Sequence, residues 1–366
     1  MTISPKLKRN ISRIIPFGVI WLVISWVYAL TDISSTKNQN LNPETDITLT
    51  LPVFLFANFA LLVLGLTVGF IEMVILERRL THLSLSRKIA AKLLLYLSLM
   101  LTVISITYPI AASIESQTAI TNPEIRRKML RFFGSLTFLD TLVQLTFSIL
   151  ISIIYASTSE HLGHQALLNL ITGKYHKPRI EHRIFMFLDM KESTTIAERL
   201  GHVQYFQFLQ AYYQTMSDAI IDAFGEVYQY IGDEVVITWT AKKGFKNNNC
   251  IQCFDGIKHS LNQKASAFEK RYGVVPDFKA GLHVGEVTSG EIGAMKKEIV
   301  YSGDVLNTAA RIQGLCSAQQ ADLILSEQVL NGLSDPSSIK TKPLGEFQLK
   351  GKEAPVTLFA FKGRSA

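Results

Sequence analysis

The chain has 366 residues, 48% of them hydrophobic, and a mean hydropathy of +0.22. This length exceeds one average domain, and a composition this apolar excludes a wholly soluble protein. The formal net charge of +7 does not indicate a nucleic-acid partner, because Lys and Arg are scattered and form no basic stripe interleaved with aromatic residues. We therefore expect one membrane part and one soluble part, with no nucleic acid as partner.

The long apolar runs lie before residue 158. A hydrocarbon core of ~30 Å needs about 20 apolar residues in a helix, and four runs approach or exceed that length. The runs are 14–30, 51–76, 89–112 and 132–156. Basic residues precede the first run as in a signal peptide, but no small-residue cleavage site follows, so we expect a retained anchor. The sequence predicts a four-helix transmembrane domain over residues 1–157, embedded in a lipid bilayer.

The orientation of such a domain follows from Lys and Arg in its short loops. Basic residues precede the first run, fill the second loop and follow the fourth run: Lys6, Lys8, Arg9, Arg13, Arg78, Arg79, Arg87, Lys88, Lys174, Lys177 and Arg179. This pattern predicts a multi-pass protein of the cell membrane with a cytoplasmic N-terminus and a cytoplasmic soluble part. The third loop does not fit, since it would place four basic residues outside: Arg126, Arg127, Lys128 and Arg131. Either these residues bind something there or the number of spans is wrong.

Two polar residues interrupt the fourth run. Asp140 and Gln144 lie four apart, hence on one helical face, and polar groups at this depth usually face the interior of a helix bundle. They either bind a ligand of the membrane domain or sense a stimulus there, neither of which can be identified from the sequence, or they form hydrogen bonds to another span. Gly65 and Gly69 form a small-xxx-small pattern that suits close helix packing.

The soluble part begins with a helical linker over residues 158–182, in which residues 173–178 form turns. His161 and His164 lie one helical turn apart in this linker. They either belong to a solvated helix face or bind a metal ion. The domain at 183–366 shows an ordered series of elements: strand 183–188, helix 194–223, hairpin 225–239, helix 251–272, strands 278–287 and 298–302, helix 304–315, strand 323–325, and a hairpin of 344–349 with 356–361. The order β-α-β-β-α-β predicts an α+β ferredoxin-like sheet with helices on one face.

Two carboxylates stand out in this order. Asp189 ends the first strand, and Asp233 follows Gly232 at the bend of the hairpin. Gly-Asp alone is a common turn signal. In a ferredoxin-like fold, however, the first strand and this hairpin are neighbours, so the two carboxylates meet and can hold two Mg²⁺ ions for phosphoryl chemistry. Residues 190–195, which include Thr194, turn into a helix whose free N–H groups suit a triphosphate.

A second pair lies on the helix at 304–315. Asn307 and Arg311 are four apart and reach one ligand from one helical face. Arg311 can stabilise the charge of a phosphoryl-transfer transition state, and Asn307 can orient a ribose.

These motifs carry a resemblance. Residues 183–362 resemble the catalytic domain of class III nucleotidyl (adenylate/guanylate) cyclases through the segments FMFLDMKEST, YIGDEVVITW, AGLHVGEVTSGEIG, GDVLNTAARI and LKGKEAPVTLFAF. The resemblance covers about half of the chain. It implies conversion of a nucleoside triphosphate into a 3′,5′-cyclic monophosphate and pyrophosphate by a head-to-tail homodimer, with active sites at the dimer interface.

The resemblance also implies roles for individual residues. Asp189 and Asp233 would bind two Mg²⁺ or Mn²⁺ ions, assisted by the carbonyl of Met190. Asn307 and Arg311 would come from the partner subunit. Lys350 in the LKGK segment would contact the phosphates, with Lys352 as the alternative.

The base-recognition positions depart from the family pattern. Members that use ATP usually carry Lys four residues before the second metal-binding Asp, and Asp or Thr seven residues before the Asn. Gln229 and Val300 occupy these positions, and the Glu and Cys typical of guanylate cyclases are absent too. Gln229 can pair with an adenine edge, so ATP is the expected substrate, while GTP or a pyrimidine triphosphate stays open.

Three other interpretations stay open. A diguanylate cyclase is suggested by the IGDE turn, although the Asn307 and Arg311 pair and the LKGK hairpin argue against it. An inactive nucleotide-binding receptor domain is suggested only by Gln229 and Val300. A transporter with a regulatory soluble part is disfavoured, because only four apolar runs and no inverted repeat are found.

Overall fold

The computed structural model describes residues 4–37, 39–76 and 85–364. The chain divides into two compact units. One unit comprises residues 8–168, and the other comprises the chain from residue 169 onward together with the first residues of the N-terminal helix. Two of the basic residues predicted in the second loop, Arg78 and Arg79, lie outside the described residues.

The first unit is helical. Its helices are α1 (Pro5–Thr36), α2 (Leu51–Phe70) with a π-helical continuation (Ile71–Leu76), α3 (Leu85–Ser116), α4 (Pro123–Phe133), α5 (Leu136–Leu162) and the beginning of α6 (His164–Ile171). Among the described residues, four stretches are long and apolar enough to cross a membrane: Pro5–Thr36, Leu51–Leu76, Ala90–Ser116 and Leu136–Leu162. The four long apolar helices predicted from the sequence are therefore confirmed.

The start of the fourth apolar helix differs from the prediction. Phe132, the first residue of the predicted run, belongs to the short helix α4, and α5 begins only at Leu136. Gly134 ends α4, and the Ser135 hydroxyl accepts a hydrogen bond from the Phe138 amide at 3.2 Å. A serine cap of this kind starts a new helix, which the apolar run concealed.

The basic residues of the third loop lie on α4. Lys128 forms an ion pair with Glu115 at 2.7 Å, and Arg131 forms one with Glu44 at 2.8 Å. Two of the four basic residues thus have carboxylate partners in the same unit, which accounts for part of the unexpected charge.

Helices α1 and α2 pack closely at two glycines. A Cβ atom on Gly65 would lie 2.8 Å from the Trp21 ring, and one on Gly69 would lie 2.8 Å from the Phe17 ring. Real Cβ atoms do not approach this closely, so these aromatic side chains occupy the space that the glycines leave. The small-xxx-small pattern therefore does serve close helix packing.

The predicted inward-facing pair on the fourth span is wrong for Asp140. Its side chain is exposed, Gln144 is half-buried, and among the described residues neither side chain has a hydrogen bond to another helix. The buried stripe of α5 includes Leu145, Ile149 and Ala156. Asp140 lies five residues before Leu145, about 140° around the helix, and so points away from that stripe.

The second unit is built on one eight-stranded sheet. The strands are β1 (Arg179–Met190), β2 (Glu226–Ile231), β3 (Glu234–Thr240), β4 (Phe278–Ile292), β5 (Glu298–Ser302), β6 (Leu323–Ser326), β7 (Ile339–Phe347) and β8 (Val356–Arg364). Their order is β2-β3-β1-β4-β6-β8-β7, with β5 paired to β4. Only the β4–β6 pair is parallel among these described strands.

The helices of this unit are α7 (Ser193–Asp222), α8 (Ala241–Phe245), α9 (Asn249–Gln263), α10 (Ala265–Tyr272), α11 (Asp304–Gly314) and α12 (Glu327–Gly332). The predicted β-α-β-β-α-β order is confirmed. One predicted helix, 251–272, is interrupted at Lys264 and forms α9 and α10.

The helices do not all pack on one face of the sheet, contrary to the prediction. In β1, Ile184 and Met186 join the core formed with α7 and α9. The alternate residue Phe185 packs in a separate cluster with Val305 and Ala309 of α11. Because successive side chains of a strand point to opposite faces, α11 covers the face opposite to α7 and α9.

Candidate active site

The structure brings Asp189 and the Gly232–Asp233 turn to the same edge of the sheet. Leu188 of β1 pairs with Val235 of β3, so the next residue of β1, Asp189, lies beside the turn that joins β2 and β3. Gly232 adopts a φ of +64°, which glycine tolerates without strain, and its carbonyl accepts a hydrogen bond from the Tyr213 hydroxyl at 2.5 Å. A hydrogen bond from α7 therefore holds the turn that carries Asp233.

Negative charge accumulates at this edge. Burial, and then the charge of Asp233, raises the pKa of Asp189. Burial and the charges of both aspartates also raise the pKa of Glu234. A bound cation would relieve this repulsion, and carboxylate oxygens are the ligands that Mg²⁺ prefers. The donor set thus fits a hard divalent cation.

The metal ligands expected from the sequence comprise only two carboxylates. Within the described ranges, no group of three His, Cys, Asp or Glu side chains forms a metal cluster. The Met190 side chain is buried, so only its main-chain carbonyl would be available to assist, as the resemblance implies. Asp189, Asp233 and this carbonyl would supply only part of a coordination shell, so positions would stay open for water or phosphate oxygens.

Two residues beside Asp189 were missed by sequence reasoning. Lys279 lies directly opposite Asp189 in β4, with its Nζ 3.5 Å from Oδ2. Gln313 of α11 donates a hydrogen bond from Nε2 to the same oxygen at 3.1 Å. Only the strand register and the packing of α11 on the sheet place these side chains there. Lys279 adds a cation that can meet the phosphates of a bound nucleotide.

The helix that follows β1 begins without a capping side chain. Glu192 precedes α7 with a φ of 55° and makes no side-chain cap, and Thr194 is exposed in the first turn. The first N–H groups of a helix lack intrahelical acceptors, so an anion can bind them. The first residue of α7 is only four residues after Asp189. The short turn between β1 and α7 therefore joins the carboxylate to the free N–H groups of the helix.

Asn307 and Arg311 lie on α11 but do not contact Asp189 in the described chain. Asn307 is exposed, and Arg311 is half-buried. The Nη1 atom of Arg311 is inaccessible to solvent and has no hydrogen-bond partner among the described residues. An orphaned guanidinium N–H is costly, so it suits an acceptor that arrives with a ligand.

The two lysines of the LKGK segment are not equivalent. Lys352 forms an ion pair with Asp304, the first residue of α11, at 3.1 Å. Lys350 is exposed, and the described part of the chain provides no partner for it. Gly351 lies between them in the chain, and a Cβ atom on Gly351 would be 3.6 Å from Nη2 of Arg311. Lys350 is therefore the lysine that is free to reach an added phosphate.

The two positions predicted to recognise the base lie on strands that are not paired with each other. Gln229 is exposed on β2, and Val300 is half-buried on β5. Val227 and Gln229 oppose the consecutive residues Ile237 and Val236, so Tyr228 is the extra residue of a bulge. The Tyr228 ring contacts the Tyr301 ring with centroids 5.0 Å apart. Tyr228 and Tyr301, the chain neighbours of Gln229 and Val300, are therefore in contact with each other.

Comparison with known proteins identifies the family of this unit. Residues 176–363 match the family model of the adenylate and guanylate cyclase catalytic domain. The chain belongs to this family. The cyclase domain therefore contains every site residue described above, from Asp189 to Lys352.

Several relatives of the cyclase domain are named adenylate cyclases. Adenylate cyclase 2 of Rhizobium meliloti (strain 1021) is 36% identical over 193 residues, which cover 53% of this chain and 53% of the relative. Adenylate cyclase of Anabaena cylindrica is 26% identical over 205 residues, covering 55% and 40%. The chain thus spans about half of these relatives' length or less.

The solved structure of a bacterial light-regulated adenylyl cyclase has the same fold. It superposes with a TM-score of 0.52 at 20% identity, covering 59% of this chain and 63% of that one. At this identity the likeness concerns the fold alone.

Proposed function

We propose that the chain is a membrane-anchored adenylate cyclase that converts ATP into 3′,5′-cyclic AMP and pyrophosphate. The observation that carries the proposal is the meeting of Asp189 with the Asp233 turn at the end of β1. The names of the curated relatives support the choice of ATP. The four apolar helices support the membrane anchor.

The reaction joins two atoms of one substrate. The ribose 3′-oxygen attacks the α-phosphorus, the bond to the β-phosphate oxygen breaks, and pyrophosphate leaves with that electron pair. The proton of the 3′-hydroxyl passes to solvent. Two divalent cations, Mg²⁺ or Mn²⁺, held by Asp189, Asp233 and the Met190 carbonyl, would supply Lewis-acid stabilisation of the attacking and leaving oxygens.

The chain's own groups bind and orient the triphosphate. The uncapped start of α7, with Thr194, offers N–H groups to the phosphates, and Lys350 offers a free ammonium. Arg311 has an unpartnered N–H for an equatorial phosphate oxygen, and Asn307 orients the ribose. Together these groups place positive charge where negative charge develops in the transition state.

We further propose that the active enzyme is a head-to-tail homodimer. In one described chain, α11 presents Gln313 rather than Asn307 or Arg311 to Asp189. A second copy would bring its Asn307 and Arg311 to these carboxylates, as the family resemblance implies. Each active site then requires both copies, so a membrane stimulus that moves the linker after the last span can change how the copies meet.

The catalytic test uses the full-length protein in membranes or detergent, supplied with ATP and Mg²⁺ or Mn²⁺. We expect cyclic AMP from the wild type and no turnover from Asp189→Asn or Asp233→Asn. Asp222→Asn is the matched control, because this carboxylate is exposed at the end of α7 and away from the site. Activity retained in both site variants would contradict the proposal.

A cyclase for another nucleotide is the second candidate. Val300 is apolar, whereas the family resemblance implies Asp or Thr at this position in members that use ATP, and Gln229 offers both a donor and an acceptor that other bases can use. Incubation with ATP, GTP, CTP and UTP separately, with products identified by mass, distinguishes the candidates. A cyclic nucleotide other than cyclic AMP would reassign the substrate, and no product from any of them would favour an inactive receptor domain.

A further inference from the structure

The cyclase domain buries a cation that the proposed chemistry does not use. The Arg183 side chain in β1 is 1% exposed. It donates hydrogen bonds to Glu181 at 2.9 Å, to Glu226 at 3.0 Å and to Thr238 at 3.1 Å. Removing one of these partners would leave the buried guanidinium charge incompletely compensated, which is strongly destabilising.

The segment before β1 is locked into this cluster. Tyr175 lies one residue before the part of the chain that matches the cyclase family, and it is 1% exposed. Its hydroxyl donates to the Glu181 carboxylate at 3.1 Å and accepts from Lys174 at 2.8 Å. Its carbonyl accepts a hydrogen bond from the Glu291 amide of β4 at 3.1 Å. Side chain and main chain therefore both fasten Tyr175 to the sheet.

The same cluster reaches the strand that carries Val300. The Arg183 guanidinium lies 4.6 Å from the ring centre of Tyr301, the residue after Val300. Tyr301 also interacts with the Tyr175 hydroxyl. A cation over an aromatic face is attracted strongly when it is desolvated, as here.

The cluster reaches the other base-recognition position as well. Tyr301 packs against Tyr228, the bulged residue next to Gln229. Phe185 of β1 packs beneath both rings, with centroids 5.6 Å from Tyr301 and 6.4 Å from Tyr228. Glu226, three residues before Gln229, is bonded directly to Arg183. Arg183 thus contacts both Tyr301, next to Val300, and Glu226, on the same strand as Gln229.

We propose that Tyr175 anchors the linker and, through Glu181, Arg183 and Tyr301, sets the placement of Val300 relative to Gln229. Tyr175 and Arg183 are therefore positioning residues for base selection, and displacement of the linker alters which base is accepted. This inference rests on the proposed function. It assigns a role in base specificity to Tyr175, which lies just outside the matched family region. It also connects that role to the linker in which Tyr175 lies.

The test compares single-hydroxyl deletions in the full-length protein. Tyr175→Phe and Tyr301→Phe each keep the ring and remove the hydroxyl, and Tyr175→Ala removes the anchor. Tyr272→Phe is the matched control, because this buried tyrosine also donates one hydrogen bond, to the Gln207 carbonyl at 3.2 Å in the helical layer. Each variant is assayed for kcat/KM with ATP and with GTP.

The ratio of kcat/KM for ATP to that for GTP should fall by roughly 3- to 10-fold in Tyr175→Phe and Tyr301→Phe, the scale of one lost hydrogen bond. The double variant should lose less than the product of the two single losses, because both hydroxyls belong to one cluster. Tyr272→Phe should keep the wild-type ratio. Unchanged ratios in all three Tyr175 and Tyr301 variants would overturn the inference.

Hydrogen exchange gives a readout that does not depend on turnover. In Tyr175→Ala, amide exchange should rise at residues 298–302 and at Glu291, whereas Tyr272→Phe should leave both unchanged. No increase in Tyr175→Ala would overturn the anchor while leaving the proposed function intact. A wild-type protein that makes no cyclic nucleotide would instead overturn the proposed function, whatever the exchange pattern.

Discussion

Gln313 donates a hydrogen bond to Asp189 at 3.1 Å, so α11 contacts one of the two aspartates within a single chain. Gln313 is buried, and Asn307 and Arg311 of the same helix face elsewhere. One face of α11 therefore orients a carboxylate of its own chain. The proposed homodimer would use the face that carries Asn307 and Arg311.

Replacing Gln313 should weaken metal binding. Gln313→Leu keeps a similar volume but removes the hydrogen bond that orients Asp189, and loss of a partner of a metal ligand commonly costs 10- to 100-fold in affinity. We expect the affinity for Mn²⁺, measured by calorimetry on the full-length protein, to fall by roughly 10-fold. Gln319→Leu, a half-buried glutamine just beyond α11, is the control. Equal Mn²⁺ affinity in both variants would contradict this role.

The two lysines of the β7–β8 turn should differ in their effect on catalysis. Lys350→Ala removes the unpaired ammonium, and we expect kcat to fall by about 100-fold, as for loss of one group that stabilises transition-state charge. Lys352→Ala breaks the partly exposed ion pair with Asp304, so the loss should be only a few-fold. Steady-state kinetics at saturating metal test this order. A larger loss in Lys352→Ala would reverse the assignment.

The close approach of α11 to the sheet depends on Gly281. A Cβ atom there would lie 2.3 Å from the Gln313 amide nitrogen and 2.6 Å from the Ala309 carbonyl oxygen, both main-chain atoms that cannot rotate away. Gly281→Ala should therefore destabilise the cyclase domain by more than about 2 kcal/mol, as overpacking does. Gly314→Ala, at the end of the same helix, meets nothing within 4 Å and should be tolerated. Similar unfolding midpoints for the two variants would contradict this.

The sequence predicted the pair of aspartates because local patterns determine them. An apolar strand that ends at Asp189 and a hairpin that bends at Asp233 can both be recognised without tertiary information. Lys279 and Gln313 carry no such local signal. They reach Asp189 through the β1–β4 register and the packing of α11, which depend on the whole sheet.

Two predictions about the helices of the cyclase domain are wrong. The helix predicted at 251–272 breaks at Lys264, where no Gly or Pro marks an end, and α11 covers the sheet face that was expected to be free. For α11 the reason is physical: the periodicity of a single sequence indicates that a residue is buried but not which element covers it. The prediction for Asp140 is wrong for a different reason. Polar residues in a span usually face the bundle interior, but this tendency does not fix the direction of a particular side chain.

The stability of the cyclase domain should depend on pH through His283. This histidine is 5% exposed, and its Nδ1 lies 2.8 Å from the Ser326 hydroxyl. Burial, followed by the positive charge of Lys352, lowers its pKa to about 4, against the opposing effect of Asp304. The folded state therefore keeps His283 neutral in a range where the unfolded chain binds a proton.

The sign of the effect follows from this difference. The stability that the neutral His283 contributes is fully present above the unfolded pKa of about 6.5 and is lost as pH falls toward 4. Within this window the slope should approach about 1.4 kcal/mol per pH unit. His283→Gln retains a hydrogen-bonding group for Ser326 but cannot titrate, so thermal unfolding of the full-length protein between pH 5 and 7 should show a flatter dependence. His202→Gln, at an exposed position, should keep the wild-type slope, and equal slopes in both variants would assign the pH dependence to other groups.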